Sequence, residues 1–488
     1  MATVSSLGIG SGLDLNTLLA GLKSAEQAPL VAIQAQQSSY TSKLSAYGQL
    51  SSALSALQTA AAALAKPALF EGVKASSTAT DVVTATALST AASGSYALNV
   101  TQLTQAQSLA AAGVASTTTA IGGGAATTVT LDFGTISGGT LDPVTGKYTG
   151  ATFTADTTRT ATSVTINASN NTLAGIRDAI NGSASMGVTA SIVNDGSATP
   201  NRLVLTSKLT GETSSMRIAV TGDATLSSLL ANNPAGTPAA QLQQTATAQN
   251  TKLTVNGVAI TSATNRVAGA IQDVTMTVAK VGTSTLSVQK DTDSAGNAIT
   301  TFVSAYNSLQ SVATKLTAFD ATKKSGAVLI GDSTLRNIQL RIHSALTTVQ
   351  VPHASGLTML SNIGVAFQKD GTLAIESAKL TTALGSQLSG VANLFSGIGG
   401  VGGYGTQLSS LISGFTDTTA GTLTAAAKGI NTTLDTLGKQ YAAKSERIDA
   451  IVARYKAQFT QLDVMMNSMN QTSSYLTQQF DSLNNSKN

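Results

Sequence analysis

Eight residues near the end of the chain, Leu434, Tyr441, Ile448, Tyr455, Leu462, Met469, Leu476 and Leu483, follow one another at intervals of seven without a break. Val452, Phe459, Met466 and Phe480 form a companion series four residues on. A side chain that recurs every seven positions returns to nearly the same face of an α-helix, so the pattern predicts a seam against another helix. At about 1.5 Å per residue the segment would extend roughly 75 Å, too far to fold back into a compact core. Burying the seam cannot by itself offset the entropy of ordering about fifty backbones. The helix therefore needs a partner, either the N-terminal segment around Leu15, Leu18, Leu19 and Leu22 or another chain.

A second seam lies near the N-terminus. Pro29 is a favourable first helical residue, and from it Ile33, Tyr40, Tyr47 and Leu54 are spaced by seven, as are Leu50, Leu57 and Leu64. Lys66-Pro67 predicts the end of this helix.

Between residues 73 and 290 the aromatics fall to four, Tyr96, Phe133, Tyr148 and Phe153, and Thr, Ser, Val and Gly dominate. Alternating runs predict strands around Tyr96, Leu98 and Val100, around Val188, Ala190 and Ile192, and at Leu203 and Leu205. Asn256-Gly257 predicts a two-residue hairpin turn. One helix with Leu173, Ile176 and Ile180 on its face and Gly182 as its stop interrupts this β-rich middle, which divides into two modules.

Residues 292 to 430 predict a helical bundle with a small sheet. Leu335, Ile338, Ile342, Leu346 and Val349 share one helix side, and Leu380, Leu384, Leu388, Val391 and Phe395 another. A hairpin turns at Asp370-Gly371. The fold class expected is therefore α+β and multidomain: terminal coiled-coil helices, a helical bundle and two β-rich modules.

Little in the chain points to chemistry. Cysteine is absent, which removes disulfides and thiol nucleophiles. The net charge of +4 is small and scattered, so no basic face is offered to nucleic acid. No run reaches the roughly 18 apolar residues of a membrane span, and no charged region precedes an apolar core near the start, as a cleaved signal would require. Gly8, Gly10 and Gly12 miss the dinucleotide spacing and follow no strand. Gly397, Gly399 and Gly402 have the spacing but follow a helix, which predicts a flexible interhelical connection. Asp291, Asp293 and Gly296 resemble the start of a calcium loop, but Ala295 and Phe302 occupy ligand positions; Asp293 or Ser294 is expected to cap a helix instead. DPVTGKY, with Leu141 and Tyr148 where a phosphate loop needs Gly and Ser or Thr, is a turn. His343 and His353 have no carboxylates in a recognisable arrangement around them. No catalytic, cofactor-binding or metal-ligating residues are expected.

Eight stretches in order, among them SSLGIGSGLDLNTLL, APLVAIQAQQSSYTSKLSAYGQL, GSYALNVTQLTQAQSL, NTLAGIRDAINGSASMGVTASIVNDG, LSNIGVAFQKDGTLAI and FTQLDVMMNSMNQTSSYLTQQF, resemble the flagellar filament cap family, the FliD or flagellar hook-associated protein 2 proteins. The resemblance covers nearly the whole chain. It implies terminal coiled-coil segments at 1–44 and 430–488 and a helical leg at 45–72 and 291–429. An inner β-rich head domain would comprise 73–103 and 250–290, and an outer one 104–249. GIGSG is then part of an export and assembly segment, and Asp14 or Asn16 caps the helix after it.

The function implied is that of a homo-oligomeric ring, often a pentamer, at the filament tip outside the cell, where it promotes folding and insertion of exported flagellin and prevents its loss. Partners implied are further copies of the chain, flagellin, the hook-filament junction proteins and an export chaperone acting on the C-terminal helix. Ile33, Tyr40, Tyr47, Leu434, Tyr441, Ile448, Tyr455, Phe459, Leu462, Met466, Met469, Leu476 and Phe480 are the expected oligomer and flagellin interface. The alternatives are a flagellar-tip adhesin binding host glycans or mucin through the β-rich head, and a flagellin.

Overall fold

A computed structural model describes residues 14–322, 324–352 and 355–485. The chain divides into two compact units, one made of the chain up to Phe70 together with everything from Thr292 onward, the other of Glu71–Asp291. The fold is mixed helix and sheet, α+β and multidomain as expected.

The first unit is helical. Its N-terminal helix spans Leu15–Leu64, so it begins well before Pro29. Asp14 is the N-cap: its carboxylate accepts hydrogen bonds from the Thr17 N–H at 3.0 Å and the Thr17 hydroxyl at 2.6 Å. Pro29 sits inside the helix. A proline there leaves the carbonyl four residues earlier without its N–H partner; Pro29 and Ala25 are both exposed, so water can serve that carbonyl.

The second half of this helix carries an unbroken buried face, Tyr47, Leu50, Leu54, Leu57, Ala61 and Leu64. It packs on the Thr292–Thr317 and Tyr404–Thr416 helices. Phe302 and Phe395 meet edge to face at 6.1 Å in that core, and Phe70 stacks on Phe395 at 6.4 Å. Tyr47 donates its hydroxyl hydrogen to Asp332 Oδ2 at 2.7 Å, and Asp332 Oδ1 accepts from Leu335 N–H to cap the Ser333–Thr347 helix. A backbone contact closes the bundle at Gly405, where a Cβ would stand 2.7 Å from the Ala61 carbonyl oxygen.

Several local expectations need correction. The Ser333–Thr347 helix buries Leu335, Ile338, Ile342 and Leu346, but Val349 lies beyond its end and is exposed. The stretch from Leu380 to Phe395 is two helices, Ser377–Ser386 and Leu388–Ser396, because Gln387 leaves the helical region with φ −137°. The Thr292–Thr317 helix starts one residue before Asp293, so Asp293 and Ser294 lie in its first turn and are not its cap. The hairpin at Asp370-Gly371 joins Val365–Phe367 to Leu373–Ile375.

The second unit, Glu71–Asp291, is built from antiparallel sheets. A five-stranded sheet runs in the order Val73–Ser77, Gly282–Lys290, Gly94–Gln102, Thr251–Val255, Val258–Ser262. Its apolar face meets a three-stranded sheet of Arg266–Ile271, Val274–Val278 and Val83–Ala87 over Val83, Val100, Met276, Leu286 and Val288. Asn256 at φ 48° and Gly257 at φ 84° form the expected two-residue turn. A second core around Leu131, Ile166, Ile176, Leu203 and Met216 is enclosed by two four-stranded sheets and the Leu173–Gly182 helix. Asp142 closes the DPVTGKY turn between Thr127–Asp142 and Lys147–Ala155 by accepting from Val144 N–H at 2.9 Å.

Candidate functional site

The C-terminal helix spans Thr422–Asn485 and pairs with the N-terminal helix. Gln34 Nε2 donates to Tyr441 Oη at 3.2 Å, and Gln37 Nε2 stands 4.0 Å from where a Cβ on Gly438 would lie. As one helix advances by three residues the other retreats by three, so the pair is antiparallel. Both helices rise equally per residue, and the same register sets Leu15 opposite about residue 460. The C-terminal helix therefore outruns its partner by about 37 Å, the length of its last 25 residues.

Exposure follows that register. Ile33, Tyr47 and Ile448 are buried. Tyr40, Leu434, Tyr441, Tyr455, Phe459 and Met466 are half-buried. From Leu462 onward, Met466 apart, the same series faces outward: Leu462 is 39% exposed, Met469 60%, Leu476 49% and Phe480 64%. Val464, Met465 and Tyr475, which lie off the expected series, are exposed as well. The structure thus divides the thirteen expected seam residues into a covered portion and an uncovered one.

Tyr47 is set apart from the others by its role in the bundle core, where burial and the adjoining Asp332 carboxylate push its hydroxyl up to about 12. Sequence reasoning missed Leu423, Ile430 and Leu437, which are buried beside the named seam. They too recur every seven residues, but Lys444 interrupts the series before Ile451. Leu15 and Leu30 are buried on the opposing helix.

The other candidate motifs resolve into structure. The Gly397 to Gly403 segment joins two helices, and Ile398 and Val401 exchange backbone hydrogen bonds of 2.9 and 3.0 Å that close it into a turn. His343 is exposed and lies against the Phe367 ring at 4.7 Å. Gly8, Gly10, Gly12 and His353 fall outside the described residues, as does the side chain of Leu483. Among the described residues, no three His, Cys, Asp or Glu side chains converge to hold a metal. No helix among them is long and apolar enough to cross a membrane.

Set beside known proteins, the chain is 41% identical over 497 residues to flagellar hook-associated protein 2 of Escherichia coli strain K12, with all of both chains covered. It belongs to the flagellar hook-associated protein 2 family. The family's C-terminus matches residues 248–471 and its N-terminus residues 11–107, while the flagellin hook IN motif matches residues 147–209. Flagellar hook-associated protein 2 of Salmonella typhimurium is 38% identical over 498 residues, again over all of both chains. Among solved structures, the D1-D2-D3 domains of the flagellar cap protein FliD from Escherichia coli superpose with a TM-score of 0.60 at 35% identity, covering 79% of this chain and 99% of that one.

Proposed function

We propose that this chain acts as an oligomeric filament cap, a scaffold at the filament tip that retains exported flagellin and promotes its folding and insertion. The observation that carries this reading is the uncovered end of the C-terminal helix. It continues a seam that is covered, over its first half, by the chain's own N-terminal helix. A helix exposing Leu462, Val464, Met465, Met469, Tyr475, Leu476 and Phe480 on a water-facing surface is an association site. Neighbouring copies in a ring, a pentamer in this reading, would cover part of it and flagellin the rest, with an export chaperone holding the same segment beforehand. The Glu71–Asp291 unit would form the plate beneath which flagellin folds, and the bundle around Leu50, Phe302 and Phe395 would form a leg. The protein would work outside the cell, by mechanical rather than catalytic means, and meet the hook-filament junction proteins before the filament grows.

The adhesin reading gains no support from the four aromatics of the central unit, because each is engaged by a neighbour. Arg159 lies over Phe133 at 3.6 Å and Arg217 over Phe153 at 4.8 Å. Tyr148 Oη accepts from Gln244 Nε2, and Tyr96 Oη donates to the Ala92 carbonyl.

Complementation of a capless flagellated strain tests the proposal. Supplied from outside as purified protein, the full chain is expected to restore filaments, whereas a chain ending at Thr460 is expected to leave flagellin free in the medium. Equal filament length with both would overturn it.

A further inference from the structure

Methionine is unevenly distributed by exposure. The chain has eight, and three of them, Met465, Met466 and Met469, fall within five consecutive residues of the uncovered C-terminal helix. Met465 is 63% exposed and Met469 60%, while Met466 is half-buried. Met186, Met216 and Met276 are buried in the cores of the central unit. Met359, on the helical unit and away from this helix end, sits at the lower edge of exposure.

We propose that Met465, Met466 and Met469 form an oxidant-sensitive modification site, and that their conversion to sulfoxides disables association of the C-terminal helix with a second copy of this chain. The inference rests on the association reading above. The second copy is chosen because the exposed series Leu462, Met469 and Leu476 prolongs the intramolecular seam of Leu434, Tyr441, Ile448 and Tyr455 in the same phase. A face continuous with a helix-on-helix interface is completed by another helix of the same kind.

The chemistry requires only a two-electron oxidant such as hydrogen peroxide or hypochlorous acid. With peroxide, a sulfur lone pair attacks one peroxide oxygen; an S–O bond forms, the O–O bond breaks, and after proton transfer the second oxygen leaves as water. Sulfur is oxidised by two electrons and the peroxide is reduced. The rate follows access to the thioether, so the three helix residues react ahead of the three buried methionines. Sulfoxides at Met466 and Met469 put a strong, polar acceptor where the seam supplies apolar surface, one at Met465 puts it beside that seam, and burying such an acceptor unpaired is costly. The part of the helix covered by Leu15–Leu64 has no reason to unfold. Covered sulfurs in an assembled ring would be shielded, so the site acts on the free subunit.

The test treats the full-length protein with hydrogen peroxide, locates sulfoxides by peptide mass spectrometry and measures association by sedimentation velocity. Oxygen is expected on Met465, Met466 and Met469 before Met186, Met216 and Met276. Association is expected to weaken by about tenfold or more, with the thermal unfolding midpoint of the subunit unchanged and recovery after treatment with methionine sulfoxide reductases. A Met465→Leu, Met466→Leu, Met469→Leu variant, compared with its own untreated sample, is expected to show no response to peroxide, while Met359→Leu responds like the parent. Full association of the parent with all three sulfurs oxidised, or loss of association in the triple variant on peroxide treatment, overturns the inference. Failure of the untreated parent to associate at all instead overturns the reading on which it rests, and the inference with it.

Discussion

Replacing Leu462 and Met469 with aspartate separates assembly from folding. In the single chain these side chains retain 39% and 60% of their exposure, so the folded subunit gains little from them. Surface substitutions of this kind change stability by no more than about 0.5 kcal/mol each. Association would cover what remains exposed. Full burial of a leucine or methionine contributes about 1.5–3 kcal/mol. Scaled by those exposures, Leu462 would contribute about 0.6–1.2 and Met469 about 0.9–1.8 kcal/mol to each association contact. Losing both therefore weakens each contact by about tenfold to a hundredfold, before any cost of burying the two carboxylates. Sedimentation velocity over a concentration series reads the shift, and thermal circular dichroism checks the fold. An Ile448→Asp variant supplies the contrast: it is buried within the chain's own helix pair and should lower the melting temperature as well. The reasoning is refuted if the Leu462→Asp, Met469→Asp protein associates with unchanged affinity, or if it melts as early as Ile448→Asp.

Phe302→Ala, which empties a fully buried site against Phe395, should cost about 3–5 kcal/mol in the unfolding of the helical unit and leave the Glu71–Asp291 unit intact by limited proteolysis. Gly405→Ala pushes a Cβ to 2.7 Å from the Ala61 carbonyl oxygen and should destabilise by about 1–3 kcal/mol. Gly48→Ala and Gly429→Ala meet nothing within 4 Å and should each raise stability by about 0.5–1 kcal/mol, all three being read by denaturant titration. Tyr47 releases its proton near 10 when unfolded but is held up to about 12 when folded. Its stabilising contribution is therefore complete below pH 10 and lost as pH rises toward 12. Tyr47→Phe should cost about 1.5 kcal/mol at neutral pH and flatten the alkaline fall of the unfolding midpoint. Some slope should remain, because burial also raises Tyr306 and Tyr404.

The helix seams were legible because a heptad is a periodic signal carried by single residues, and both long helices form where it runs. What the period could not give was the covered length. Leu462 and Ile448 are equivalent in the pattern, and only the antiparallel register fixed at Gln34 and Tyr441 separates them. The Asp14 cap was expected from the resemblance, but the continuity of one helix from Leu15 to Leu64 was masked by Pro29, whose usual place is at a helix N-terminus. Lys444 hid the companion series of Leu423, Ile430 and Leu437 in the same way.

Strand alternation and the Asn256-Gly257 turn disclosed the β-rich middle. The polar contacts that tie its second core together were invisible. Gln107 Nε2 donates to Gln244 Oε1 and its Oε1 accepts from Met216 N–H, both at 2.5 Å, although 137 and 109 residues separate the partners. Gln241 bonds both backbone groups of Tyr148 across a similar gap. Glutamine in a run of small polar residues reads as surface until the chain is folded.

Hydrogen exchange along the C-terminal helix, read by mass spectrometry on dilute and on associated protein, tests the central claim most directly. An unpartnered helical stretch of this length is marginal in water, so amides from 461 to 485 should exchange far faster than those from Ile430 to Phe459 in the dilute subunit. Association should slow the 461 to 485 amides by about tenfold or more while leaving Ile430 to Phe459 little changed. Unaltered exchange across 461 to 485 in protein that has demonstrably associated would contradict the account, since the surface holding the copies together would then lie elsewhere.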